Sequence, residues 1–474
     1  MPFNTYTEGM EQLLKGVNHV HFIGIGGYGM SALAHILINS GYTVSGSDLN
    51  ENKLTEGLKK SGARVFRGHG AEQVNGADLV IRSTAIPLEN AELEAARRLQ
   101  IPIWHRSELL ASIFNHQYGI AIAGAHGKTT TTAMVSLLLE KGALKPTAII
   151  GGEVTFFGSN ARLGDGPYVV AEACESDISF LRYRPYLALV TNIEPDHLEY
   201  YDGNFSKLVD SYRLFINNVR DGGLAVICGD DPVLQQIRGD LRPNLLSYGF
   251  SDHADVKGEN VEMKGLSSRF GIRYKNKHLG DIELKVPGRH NILNALGAVA
   301  VALFLDVDMS VIRDAFLEFD GAKRRFEIVG SPEDILIVDD YAHHPTEIQA
   351  TLNAARQSGR KVFCVFQPHR YTRTHFLWDE FIRAFDEADR VVLTDIYSAG
   401  EKPIEGVSSR ALVQAIQNRG HEHVEVIEEK EKIIQYLLEN AKSGDLVITM
   451  GAGDIWKTGR EFAGRKDKAG EAPG

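Results

Sequence analysis

Gly119-Ile120-Ala121-Ile122-Ala123-Gly124-Ala125-His126-Gly127-Lys128-Thr129 reads as an apolar strand running into a tight glycine loop, and Ala133-Met134-Val135-Ser136-Leu137-Leu138-Leu139 continues it as a helix. Strand, loop and helix in that order point to an α/β fold with a mainly parallel sheet. The same stretch is an anion site, because loop amides and the first helical amides converge there. Lys128 adds a positive charge suited to β- and γ-phosphates, and the Thr129 hydroxyl suits Mg²⁺. The strict phosphate-loop spacing asks for glycine at position 122. This chain has Ile122, so the loop is a shortened variant.

Bulk properties narrow the class. A chain of 474 residues, at roughly 100–200 per domain, makes two to four domains. The 51 Lys and Arg against 62 Asp and Glu leave a net charge of −11, so phosphates are met by local loops and a nucleic-acid partner is disfavoured. Cys174, Cys228 and Cys364 lie far apart without metal-ligand spacing, which suits a reducing cytoplasm. No apolar run reaches the roughly 18 residues of a membrane span, and no signal-peptide pattern is present. The expectation is a cytoplasmic protein with no membrane partner. Residues 463–474 are of low complexity and read as a frayed tail.

Three strand–helix segments follow from the punctuation. The first opens with the strand His19 to Ile23, the loop Gly24-Ile25-Gly26-Gly27-Tyr28-Gly29 and the helical Met30 to Asn39. A second strand, Tyr42 to Gly46, ends near Asp48, and a boundary falls near residue 115. The second segment holds the phosphate loop, three further apolar strands ending at Glu172, Asn192 and Ile227, and short antiparallel strands within 253–286. The basic cluster Lys323-Arg324-Arg325 marks the next boundary. In the third segment each apolar strand ends in polar or glycine residues: Asp339-Asp340, Gln367-Pro368-His369-Arg370, Asp395, and Gly451-Ala452-Gly453-Asp454. In open α/β sheets ligands bind in the crevice at such strand ends.

Gly24, Gly26 and Gly29 match G-x-G-x-x-G, with Asp48 about twenty residues on. That pattern places a diphosphate at a helix N-terminus and Asp48 near a ribose or base. The glycines leave open whether the diphosphate belongs to NAD or to a nucleotide sugar. Glu172 ends an apolar strand, where a nucleotide-hydrolysing site would hold Mg²⁺. His197 lies on a loop just past the next strand, a place where a lone His is more often structural than a ligand. Asp339-Asp340-Tyr341-Ala342-His343-His344-Pro345 packs ionisable groups after a strand, and Pro345 suits the first turn of a helix. Arg370 and Arg373 are three apart near a strand end, and two guanidinium forks there suit a carboxylate or phosphate.

Taken in order, these motifs resemble the Mur ligases of bacterial cell-wall synthesis. Residues 23–31, 124–132, 172–181, 191–201, 289–291, 323–327, 339–347, 367–374, 395–401 and 451–455 carry the resemblance, and they span essentially the whole chain. The resemblance implies three domains, a Rossmann-like one at 1–115 for the UDP-substrate, a P-loop ATPase-like one at 116–323 with a mainly parallel sheet, and a Rossmann-like one at 324–474 for an amino acid. It implies an ATP-dependent ligase, strongest for members that join L-alanine to UDP-N-acetylmuramate, with a ligase adding a preassembled peptide as the alternative. Gly24, Gly26, Gly27, Gly29, Met30, Ser31, Asp48, Ser83 and Thr84 would serve the UDP part. ATP would meet Gly124, Ala125, His126, Gly127, Lys128, Thr129, Thr130, Asn291, Arg325 and Asp339, with Mg²⁺ on Thr129, Glu172 and His197. Tyr341, His343, Arg370 and Arg373 would form the amino-acid pocket, with Lys128 catalytic and His343 a candidate base.

The family usually has Thr where Ala125 stands and Asp where Cys174 stands. Cys174 is expected to be small, buried and without redox function. The expected assembly is a monomer or a weak dimer. Two other classes compete: an NAD-linked dehydrogenase, which leaves the second phosphate loop unexplained, and a nucleotide switch, which gives the third segment no role.

Overall fold

The apolar runs of the first segment become five short parallel strands, β1 (His19–Ile23), β2 (Thr43–Asp48), β3 (Arg64–Arg67), β4 (Leu79–Arg82) and β5 (Ile103–His105), in the order β3-β2-β1-β4-β5. The chain thus leaves β1 toward one side of the sheet and returns as β4 on the other. Loops after β1 and β4 part at that point, and a crevice opens between them. The glycine loop after β1 leads into the helix Tyr28–Asn39, whose buried face carries Met30, Leu33, Ala34 and Leu37. The computed structural model describes residues 14–176 and 178–470, and Asp177 of the family-like stretch lies outside them.

In the second segment β6 (Tyr118–Ala123) lies between β9 (Tyr168–Glu172) and β10 (Leu187–Val190), parallel to both. The sheet continues outward as β10, β11 (Leu224–Cys228), β12 (Asn244–Gly249) on one side and β9, β7 (Thr147–Val154), β8 (Ser159–Arg162) on the other. Burial on both faces explains why β6 and β10 are continuous apolar runs. The antiparallel β7–β8 hairpin was not expected from sequence. It packs against the helix Tyr28–Asn39, where Asn160 Nδ2 donates to Tyr28 O at 2.7 Å. Three strands, β13 (Val256–Lys264), β14 (Ser267–Tyr274) and β15 (Lys277–Leu284), occupy the stretch expected to hold short strands.

The third segment forms a six-stranded sheet of β16 (Glu327–Gly330), β17 (Leu336–Asp340), β18 (Lys361–Phe366), β19 (Arg390–Leu393), β20 (Val424–Val426) and β21 (Asp445–Met450), ordered β16-β17-β21-β18-β19-β20. Only the edge pair β16–β17 is antiparallel. Successive residues alternate between two cores. Val338, Val362, Cys364, Phe366, Ile448 and Met450 face one, and Ile337, Phe363, Val365 and Val447 the other.

The frayed-tail expectation fails for the described part of residues 463–474. The helix Trp456–Gly470 continues through it, with Phe462 and Ala463 in the second of those cores and Lys466 Nζ 2.8 Å from Glu333. A polar composition hid one apolar stripe, and stripes decide docking. Residues 471–474 lie outside the described part. The chain divides into two compact units. One takes in residues 1–259, 271–280 and 293–318, and the other 260–270, 281–292 and 319–474.

Candidate active site

The loop after β6 is built by two glycines that use left-handed backbone, Gly124 at φ 134° and Gly127 at φ 82°. A β-carbon at Gly124 would lie 2.0 Å from Thr191 Oγ1. Neighbouring β10 ends in Thr191 and Asn192, which clamp the loop. Asn192 O and Oδ1 accept from the amides of Ala125 and His126, and the Thr191 hydroxyl donates to His126 O at 2.6 Å. Two loop amides are therefore already used. The amides of Lys128, Thr129 and Thr130, at the start of the helix Lys128–Lys141, have no acceptor within that helix and are the ones suited to phosphate.

Lys128 is folded back over the loop, donating to Gly124 O, to Ala125 O at 3.1 Å and to both carboxylate oxygens of Glu175 at 3.0 Å. Burial works against its charge, but Glu175, with Cys174 and Glu172, outweighs burial and holds the ammonium well above the ordinary lysine range. The sequence reading missed Glu175, and Asn192 as the loop's clamp. Neither has a local signal, because each acts across strands.

Glu172 faces the same positive charge. Its Oε1 accepts from Gly151 N at 2.6 Å, which fixes the carboxylate at the end of β9. His197 has a left-handed φ of 53°, and its ring lies between Asp196 and Glu199 at 3.5 and 3.7 Å. Cys174 is half-buried, with Sγ 3.0 Å from Ser176 Oγ, which corrects the expectation of burial. It stands two residues past the end of β9, between the buried Ala173 and Glu175.

A pocket of about 360 Å³ opens at the β1/β4 crevice, lined by Gly24, Gly27, Gly29, Met30, Asp48 and Ser83 among the expected residues. Asp48 also braces the loop, accepting from Gly26 N at 2.9 Å, and a β-carbon on Gly26 would meet that carboxylate at the same distance. Ser31, expected to serve the UDP part, is buried in its helix and donates to Tyr28 O. Thr84 bonds His105 Nε2 at 3.0 Å. His69 and Arg106 line the pocket without having been anticipated, and Gly29 leaves the room that the Arg106 guanidinium fills, 2.8 Å from where a β-carbon would be.

In the second unit the ends of β17 and β18 bring together Tyr341, His343 and Arg373. The Tyr341 and His343 rings meet edge-on at 5.3 Å, His343 meets His369 at 5.8 Å, and Arg373 lies 3.2 Å from His369 Nδ1. His369, stacked on Tyr397, is the link that sequence reasoning did not assign. His343 Nδ1 faces Tyr341 O at 3.0 Å and Glu347 at 3.2 Å. Arg370 heads the helix Tyr371–Phe376, with Glu401 3.7 Å away.

Arg325 lies over the Tyr341 ring, and Asn291 Nδ2 donates to Pro287 O. Asp339, expected to face a nucleotide, is fully buried here, with one oxygen held by Arg324 Nε at 3.1 Å and the other by Thr449 Oγ1 at 2.9 Å. It stands opposite Thr449 in the β17–β21 register. Asp340 is buried too, and burial pushes its carboxyl up to about 6 against the pull of Arg325 and two backbone amides.

Known proteins resemble the chain along nearly its whole length. Three family models match in succession: "Mur ligase family, catalytic domain" over residues 19–118, "Mur ligase middle domain" over 122–302, and "Mur ligase, glutamate ligase domain" over 324–453. The UDP-N-acetylmuramate–L-alanine ligase of Pelobacter propionicus is 46% identical over 445 residues, covering 94% of this chain and 97% of that protein. The protein of the same name from Pelotomaculum thermopropionicum is 48% identical over 450 residues, again 94% and 97%. Among solved structures, UDP-N-acetylmuramate-alanine ligase from Thermotoga maritima aligns with a TM-score of 0.81 at 29% identity, over 95% of this chain and 99% of that one. A murein peptide ligase from Psychrobacter arcticus aligns at 0.69 and 23% identity, over 97% and 100%, a likeness of fold alone.

Proposed function

The chain belongs to the Mur ligase family, and we infer that it is the ATP-dependent ligase that joins L-alanine to UDP-N-acetylmuramate through an acyl phosphate. The observation that carries this is 46–48% identity, over nearly the full length of both partners, to proteins named for that activity. The alternative of a preassembled-peptide ligase is not favoured, because solved ligases named for a peptide stand at 23% identity, or at 28% over only 65% of this chain, below the 46–48% of the L-alanine ligases.

The chemistry follows from a simple difficulty: a carboxylate is a poor electrophile until one oxygen becomes a phosphate leaving group. ATP transfers its γ-phosphoryl group to the lactyl carboxylate, ADP departs, the alanine amine attacks the acyl carbon and phosphate leaves. Positioning and charge neutralisation dominate the first step. Lys128 supplies the charge by exchanging Glu175 for the transferring phosphate. The helix-start amides of Lys128, Thr129 and Thr130 hold its oxygens.

Thr129 and Glu172 offer hard oxygen donors beside that lysine, a donor set that fits Mg²⁺; His197 is the third candidate partner. A bound Mg²⁺ would supply further neutralisation of phosphate charge. The first pocket would take the UDP part between Gly24–Met30, Asp48 and Ser83, while Asn291 and Arg325 stay candidates for ATP, as the family resemblance implies. Tyr341, His343, Arg370 and Arg373 would take the alanine, with His343 as the candidate base for its ammonium. Residues 1–115, 116–323 and 324–474 carry these three tasks in turn.

The test is ADP release from ATP and UDP-N-acetylmuramate with L-alanine, glycine, L-serine or a preassembled tripeptide. L-Alanine should give the highest kcat/KM. Release with the peptide and not with L-alanine would reverse the reading.

A further inference from the structure

Behind the first glycine loop runs a polar chain that the ligase reading has not used. His21 and Glu92 are both fully buried under the β1/β2 sheet. From the surface inward, His19 Nδ1 bonds Gly76 O at 2.8 Å, His19 Nε2 bonds Ser45 Oγ at 2.7 Å, Ser45 Oγ bonds His21 Nδ1 at 2.7 Å, and His21 Nε2 reaches Glu92 Oε2 at 3.2 Å. From Glu92 the chain turns toward the pocket. Ser47 Oγ donates to Glu92 Oε2 at 2.7 Å and lies 2.9 Å from His69 Nδ1, which is also 3.4 Å from Glu92 Oε1.

The links divide the carboxyl between two sides. His21 Nε2 engages Glu92 Oε2 on one side, and Ser45 and His19 tie that ring back to Gly76 O, which accepts only. On the other side Ser47 spends its hydrogen on Glu92, so its oxygen accepts from His69 Nδ1–H. The hydrogen bonds thus assign the proton of His69 to Nδ1 and leave a lone pair on Nε2. Gly70 N, donating to Glu92 Oε1 at 3.2 Å, pins the backbone beside it. His69 lines the pocket, so its wall carries an acceptor alongside the donor Arg106.

We propose that Glu92 is a positioning residue for the substrate pocket: through Ser47 it holds His69 as the Nδ1–H tautomer, so that Nε2 accepts a hydrogen bond from an N–H or hydroxyl of the substrate's nucleoside. This rests on the reading of that pocket as the UDP site. An acceptor there selects the nucleoside's donors, the uracil imide or a ribose hydroxyl, over the phosphates.

Calorimetry of the intact protein with UDP, together with steady-state kinetics, tests it. Glu92→Gln should weaken UDP binding and raise the KM for UDP-N-acetylmuramate about 3- to 10-fold, the loss of one oriented hydrogen bond, with kcat and the KM for ATP unchanged. In a His69→Ala background the same Glu92 change should add less than about twofold, because the group it orients is gone. Ser47→Ala, a milder cut in the same relay, should reproduce the pattern and covers the case in which Glu92→Gln does not fold. Of N3-methyl-UDP and 2′-deoxy-UDP, the analogue whose binding no longer depends on His69 identifies the donor. Full additivity of the Glu92 and His69 losses, or unchanged UDP binding in both relay variants, overturns the proposal. Wild-type protein that binds no UDP overturns the pocket reading beneath it.

Discussion

Lys128 and Glu175 show how one pair can hold a loop together and also serve the reaction. The pair is buried, and removing only the lysine leaves an uncompensated carboxylate, a loss of about 3–5 kcal/mol for buried pairs in general. Lys128→Ala should therefore cut ADP release by several orders of magnitude and also lower the melting temperature. Lys128→Ala combined with Glu175→Gln should recover the melting temperature without the activity. Near-normal turnover in the single variant would remove Lys128 from the phosphate site. Asp340 gives a second residue-scale expectation. It accepts from the amides of Phe326 and Ala342, yet its folded pKa of about 6 lies above the ordinary 3.8, so the folded state prefers it protonated. The sign follows: its stabilising contribution is complete below pH 3.8 and is lost as pH rises through 6. Acidifying from pH 6.5 to 4 should thus shift stability by about 2–3 kcal/mol in favour of wild type over Asp340→Asn. Urea midpoints at the two pH values measure the shift, and equal differences at both would refute it. Lys128 was legible in the sequence because a glycine loop before a helix is a local pattern. Glu175, Asn192 and His369 were not, because their roles arise from strands distant in sequence meeting side by side.

Among the elements, the two glycine loops look alike in sequence but differ in what their glycines protect. Gly124 is needed by its backbone: φ is 134°, and a β-carbon would strike Thr191 Oγ1 at 2.0 Å and the Asn192 amide at 3.1 Å. Gly29 is needed by the pocket, since its β-carbon would meet only the far end of the Arg106 side chain. Gly124→Ala should destabilise by more than about 2 kcal/mol, combining backbone strain with overpacking. Gly29→Ala should leave the melting temperature within a degree or so and raise the KM for UDP-N-acetylmuramate about 3- to 10-fold by displacing Arg106. Thermal melts beside substrate titrations separate the two, and a folded Gly124→Ala enzyme of normal stability would refute the first. Most parallel strands were legible because burial on both faces leaves unbroken apolar runs such as Leu187–Val190. The last helix hid behind a charged composition whose apolar stripe shows only once Phe462 finds a core.

At the scale of the molecule, the two phosphate loops lie in the first compact unit and the candidate amino-acid cluster in the second. That division makes a prediction about which substrate each unit governs. A free amino acid presents a carboxylate that guanidinium groups can grip bidentately, and Arg370 and Arg373 stand just past β18, where such a contact belongs. Arg370 also has a backbone reason to be where it is. Its amide donates to Tyr397 O at 2.8 Å, and its φ of 69° turns the chain into the next helix. Removing the side chain leaves that backbone link in place, so the lesion is one of recognition. Loss of one partner of a charged pair costs roughly 2–4 kcal/mol, which corresponds to about 30- to 1000-fold. Glu401, 3.7 Å from Arg370, competes for the guanidinium and moves the expectation toward the lower end. Arg370→Ala should therefore raise the KM for L-alanine at least about 30-fold while leaving the KM values for ATP and UDP-N-acetylmuramate nearly unchanged. The competing view puts this arginine on phosphate oxygens of ATP or of the acyl phosphate. Titrating each substrate in turn decides between them, and a defect that fell on ATP, with the alanine dependence intact, would move Arg370 out of the amino-acid pocket.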